Sequence, residues 1–111
     1  MGITQIILRL RSQAGFSPRE INWGGCEDFA DAVVREMRGK GAVAVWGNEV
    51  PPEMWSEKVR SLSDWFSHVA IFHCFVKFKC RFYDSECPLG CDFPDELPFF
   101  QKKILNVYFP E

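Results

Sequence analysis

Residues 67–86 read SHVAIFHCFVKFKCRFYDSE, and where this stretch turns back on itself decides how the sheet is built. In residues 67–77, His68, Ala70, Phe72, Cys74 and Val76 alternate with Val69, Ile71, His73 and Phe75. Both faces are largely apolar, as expected of a central strand. Residues 80–84 supply a second strand. A turn centred near Val76 sets His68 directly opposite Asp84, because their separation is even and opposed residues share a face. Phe72 then faces Cys80, and Ala70 faces Phe82. An imidazole and a carboxylate meet at the open end of the hairpin. His73, an odd number of positions from His68, is expected to face away as a structural or surface residue. The turn lacks Asn-Gly or Asp-Gly, and a slip of one residue would break the pairing. Glu86 shares a strand face with Asp84 and takes over the orienting role if the register shifts.

Upstream, residues 22–30 read NWGGCEDFA. Cys26, Phe29, Ala30, Val33, Val34 and Met37 recur at helical spacing on one face, which predicts a helix over residues 26–38. Gly24 and Gly25 suit the tight turn before it, and Glu27 and Asp28 suit the positive end of its dipole. The apolar face should lie on the sheet with Cys26 at one end. A helix N-terminus favours a thiolate, and a neighbouring imidazole favours it further. Cys26, His68 and Asp84 therefore form a candidate set of nucleophile, base and orienting acid. The Cys26 backbone N–H, with the Asn22 side chain, is the candidate pair of oxyanion donors.

Around this set, residues 3–13 predict a helix. Ser17, Pro18 and Glu20 predict another, with Ser17 as its cap. Residues 42–46 predict a strand, 53–66 a helix or partly ordered flap, 85–93 a loop, 94–103 a short helix and 104–109 a last strand. Residues 47–52 and the segment after them are candidates for a lid.

The 111 residues fit one domain, 1–111, and eleven Phe and four Trp help so short a chain bury a core. A net charge of −2 favours neither nucleic acid nor an anionic membrane. No apolar run reaches the roughly 18 residues that span a bilayer. The first residues, from Met1, show no signal peptide and no myristoylation motif. Five cysteines, an odd number without a secretory signal, point to a reducing compartment, so the expectation is cytoplasmic. Cys87 and Cys91, with Cys74, Cys80 or His73, raise a zinc site, but no second close ligand pair follows. Neither a metal nor another cofactor is expected.

The order GGCEDFADAV, SHVAIF, RFYDSECP resembles the pattern of transglutaminase-like and papain-like cysteine hydrolases, including small bacterial and phage forms. The likeness covers roughly residues 22–88. It implies an α+β fold with N-terminal helices, in which a nucleophile-bearing helix packs on a small antiparallel sheet. It also implies amide or isopeptide hydrolysis, or acyl transfer, on a peptide or protein substrate by Cys26, His68 and Asp84. Glu27 directly after the cysteine departs from the aromatic residue often found there. A binding module that holds a peptide without cleaving it is the other reading of the same cleft.

Overall fold

A computed structural model describes residues 2–110; Met1, where the leader and myristoylation readings begin, lies outside the described residues, as does Glu111. Three helices come first: α1 (Ile3–Gln13), α2 (Pro18–Gly24) and α3 (Cys26–Glu36). Strand β1 (Val43–Trp46) follows, then the short helices α4 (Glu57–Arg60) and α5 (Trp65–His68). Strands β2 (Cys74–Phe78), β3 (Arg81–Asp84) and β4 (Cys87–Cys91) precede the last helix, α6 (Pro98–Tyr108). The fold is α+β, with one antiparallel sheet in the order β1-β2-β3-β4. No helix among the described residues is long and apolar enough to cross a membrane.

The sheet is covered on both faces, and strand alternation explains how. Cys74, Val76 and Tyr83 point to one side, where they meet Ile3, Ile6 and Ile7 of α1 and Phe29, Ala30 and Val33 of α3. Phe75 and Phe82 point to the other, where they meet Val50, Trp55, Val69, Leu97 and Phe100. Ile7, Val33, Phe75, Phe82 and Phe100 are fully buried, and each such side chain contributes about 1.5–3 kcal/mol. Helix α2 starts as its sequence predicts: Ser17 Oγ accepts from Glu20 N at 3.2 Å, and Glu20 Oε1 accepts from Ser17 N at 3.0 Å.

The hairpin departs from the expected register. Val76 pairs with Tyr83 and Phe78 with Arg81, so the turn is Lys79-Cys80 rather than Val76. Both turn residues have positive φ, 51° and 62°, the backbone of a two-residue primed turn built here without glycine. With two residues in the turn, opposed positions differ by an odd number. That parity removes His68 from Asp84 altogether. Residues 67–73 are not strand: His68 ends α5, and Phe72 has φ 73° just before β2 begins.

Three other expectations are corrected. Residues 85–93 are not all loop, since β4 returns along β3 after the turn Ser85-Glu86. Pro88 is tolerated because β4 is an edge strand. Residues 104–109 are not a strand, because α6 runs through Tyr108. The expected lid is anchored in the core by Val50 and Trp55: both are buried, with the Trp55 ring centroid 5.3 Å from Trp65 and 5.1 Å from Phe100, while residues 48, 49 and 51–53 stay exposed.

Candidate active site

The site forms at the end of the sheet where β2 begins. Gly25 precedes the first residue of α3, and the first intrahelical bond of that helix is Phe29 N to Gly25 O, 2.9 Å. Cys26, Glu27 and Asp28 therefore present their N–H groups at the positive end of the helix. Cys26 is half-buried there.

His73 lies one residue before β2 and is fully buried. Its Nε2 is 2.8 Å from Asp84 Oδ2, and Asp84 is 3% exposed. A carboxylate only accepts, so Nε2 carries the proton. That leaves Nδ1 for the thiol. Nδ1 is buried without a well-formed hydrogen bond, yet Cys26 and His73 perturb each other's titration through hydrogen bonding and charge. The two groups are thus close without being aligned, a geometry that apo sites commonly tighten on binding substrate.

The electrostatics favour the ion pair. Burial pushes the Cys26 thiol up, but hydrogen bonding to His73, the backbone of Cys74 and Glu27 and the charge on His73 outweigh it, so its pKa is lowered. Burial pushes His73 down, but hydrogen bonds to Asp84 and Cys26 and the charges on both outweigh it, so its pKa is raised. Cys74, close by, is pushed up to about 12 by burial and then by the charge of Cys26. Cys87 is held down, chiefly by a hydrogen bond from Cys91, which is itself raised by that contact and by burial.

Asp84 is fixed from several sides. Its Oδ1 accepts from Glu86 N at 2.9 Å, and Asn22 Nδ2 reaches its Oδ2 at 3.3 Å. Asn22 Nδ2 also donates to Glu86 Oε1 at 2.8 Å, and Asn22 Oδ1 accepts from Ser85 Oγ at 2.9 Å. Phe99 of α6 stacks on the His73 ring, with centroids 4.3 Å apart and planes inclined by 17°. The backbone is tied as well: Gly47 N donates to His73 O at 3.1 Å.

Of the residues singled out from sequence, Cys26 and Asp84 lie at this site and His68 does not. His68 is exposed at the end of α5, and His73 occupies the place expected of it. Asn22 is not turned toward an oxyanion; both hydrogens of its amide are directed at Asp84 and Glu86. Glu86 does not displace Asp84 from the imidazole. The missed signal was parity: a two-residue turn on Lys79-Cys80 brings a histidine with an odd offset, His73, to the face of Asp84. Among the described residues no group of three or more His, Cys, Asp or Glu is arranged to hold a metal ion. A thiol at a helix start, an imidazole beside it and a carboxylate behind can support nucleophilic attack and proton transfer.

No family model, curated protein or solved structure matches the chain. The chemistry assigned to the site rests on its own residues.

Proposed function

We propose that the chain is a small thiol hydrolase or acyltransferase acting on peptide-like amides, with Cys26 as nucleophile, His73 as base and Asp84 as orienting acid. The observation that carries this reading is the 2.8 Å contact between His73 Nε2 and Asp84 Oδ2, with Cys26 coupled to the same ring. The resemblance to transglutaminase-like and papain-like cysteine hydrolases is kept on this footing, with His73 in place of His68. A helix-borne cysteine followed in the chain by a histidine just before one strand and an aspartate at the end of the next, in an antiparallel sheet, supports it. Five free thiols favour a reducing compartment, the cytoplasm in this reading.

In the reaction, His73 Nδ1 takes the thiol proton and the sulfur attacks the amide carbon. The resulting oxyanion lies against the Cys26 N–H at the start of α3. The imidazolium passes its proton to the leaving amine as the C–N bond breaks, leaving a thioester. Water or a second amine, deprotonated by His73, then attacks the thioester; the C–S bond breaks and the thiolate returns. Asp84 keeps Nε2 protonated and the ring oriented throughout.

Alkylation by iodoacetamide, resolved by peptide mapping, tests the site together with turnover of peptide p-nitroanilides. Cys26 should react with an apparent pKa below the ordinary thiol value of about 8.5. It should outpace Cys74 by more than about tenfold at pH 7, and turnover should vanish in Cys26→Ala. Comparable reactivity at all five cysteines would overturn the proposal. Fast Cys26 alkylation without turnover of any amide would return the cleft to the binding-module reading.

A further inference from the structure

On the far side of Phe99 from the His73 ring runs a groove of about 380 Å³ whose walls include Trp23, Phe72, Phe99, Lys102 and Lys103, with Glu86 at its edge. It is joined to the site through Phe99 and through Glu86, which accepts from Asn22. Phe99 stacks on His73 and also meets the edge of Trp23, 6.0 Å between centroids. Two of the rings are open to solvent: Trp23 is 68% exposed and Phe72 is 66% exposed. Large apolar side chains that stay this open next to reactive groups mark contact surfaces. Phe72 is held there by a left-handed backbone, φ 73°, which costs a non-glycine residue of this size about 1–2 kcal/mol. That strain sits one residue from His73.

The charge in the groove has one sign at its outer wall. Lys103 Nζ lies 4.8 Å from the Phe72 ring centroid, and Lys102 is exposed on the adjacent position of α6. Neither lysine takes part in an ion pair among the described residues. Glu86, the one acid in the groove, is engaged on its inner side by Asn22. A ligand in the groove therefore meets flat apolar walls and two ammonium groups. The volume lies near the lower end of the range for small-ligand sites and suits one or two residues of an extended peptide rather than a folded partner.

We infer that this groove is the specificity subsite of the proposed hydrolase, and that it selects peptide-like amides carrying an aromatic or other flat apolar group next to a carboxylate on one flank of the reacting bond. The inference rests on the assignment of Cys26 and His73 as the reacting pair. Trp23 and Phe99 supply the stacking surface, and Lys102 and Lys103 the counter-charge.

Binding can be read without turnover. In Cys26→Ala, the change in Trp fluorescence is titrated with three blocked tripeptides, Ac-Phe-Glu-Ala-NH2 and the same peptide with Gln or Lys in place of Glu. The Glu peptide should bind about three- to tenfold tighter than the Gln peptide, and the Lys peptide most weakly. The double variant Lys102→Gln/Lys103→Gln should bring the Glu and Gln peptides together, and Trp23→Phe should remove most of the fluorescence change. Equal affinity for the three peptides, or no binding of any, overturns the subsite. Alkylation of Cys26 in the wild-type chain reports on the reacting pair independently. Slow alkylation with charge-selective binding would sink the hydrolase while leaving the groove's preference standing.

Discussion

Replacing Asp84 by Asn tests the electrostatic core of the site with almost no change in shape. Asp84 takes three donors: His73 Nε2–H at 2.8 Å, Asn22 Nδ2–H at 3.3 Å and Glu86 N–H at 2.9 Å. An amide offers one oxygen to those donors and turns an NH2 group toward the rest. One charge-assisted bond to a buried imidazole is lost, worth about 1.5–3 kcal/mol, which is about ten- to one-hundredfold in the population of the thiolate–imidazolium pair. The sign follows from the directions of the two shifts. His73 is held up by bonds and charge from Asp84 and Cys26, and Cys26 is held down in part by the charge of His73. Without the carboxylate, the imidazole loses its proton at lower pH and the thiol keeps its own to higher pH. The assay is the rate of Cys26 alkylation by iodoacetamide from pH 5 to 10, mapped by mass spectrometry so that exposed Cys80 does not contribute. The wild-type profile should rise below the ordinary thiol range. The Asp84→Asn profile should move up toward that range, with a rate at pH 6–7 about ten- to one-hundredfold lower. A rate within twofold of wild type and an unmoved profile, in a variant with a native circular dichroism spectrum, would refute the assignment of Asp84.

Three further substitutions probe who acts and what holds the actor in place. His73→Ala should reduce amide turnover by about two to four orders of magnitude, the range lost with a general base, whereas His68→Ala should leave it within about twofold; the reverse outcome, read by the same p-nitroanilide assay, would restore the pairing expected from the sequence. Gly47→Ala builds a Cβ 1.8 Å from Ala70 O and 3.2 Å from Phe100 Cζ, so the segment that leads into His73 must move. A cost of about 1–3 kcal/mol should lower the thermal midpoint by about 5–20 °C, measured by circular dichroism, and an unchanged midpoint would contradict the packing described.

Local rules carried most of the N-terminal half. The capping residues of α2 and the helical spacing from Cys26 to Val33 are encoded within a few positions, and they read directly. The second half depends on contacts that spacing does not reveal. Lys79 and Cys80 both adopt positive φ without being Gly, Asn or Asp, so the turn carries no local signature. Shifting that turn by a few residues changes the parity of every opposed pair, which is why alternation alone pairs His68 rather than His73 with Asp84. Strand β4 hides behind Pro88 and Gly90; Gly90, at φ 81°, lies against the Tyr83 ring, where a Cβ would come within 2.6 Å. The run Ile-Leu-Asn-Val-Tyr-Phe at 104–109 has β-branched and aromatic residues that read as strand, yet a helix begun at Pro98 with Phe100 packed on the sheet carries them onward.

The position of the site within the two cores explains why a small chain can hold a buried imidazole in place. Cys26 is packed against the core that α1 and α3 form on one face of the sheet. His73 is clamped from the other face, stacked on Phe99 and edge-on to Phe100 at 5.4 Å. The sulfur and the ring thus come from opposite layers and meet only where β2 starts and the sheet no longer separates them. Neither layer alone contains the pair. Loosening either core should therefore separate the reacting groups before the fold as a whole is lost, because a shift of about 1 Å is enough to cost a site about one-hundredfold in rate. The glycine, asparagine and phenylalanine contacts around His73 and Asp84 oppose that separation. They tie the His73 backbone to the residue just after β1, the carboxylate to α2 and the ring face to α6, so that distant parts of the chain fix one hydrogen-bonded pair.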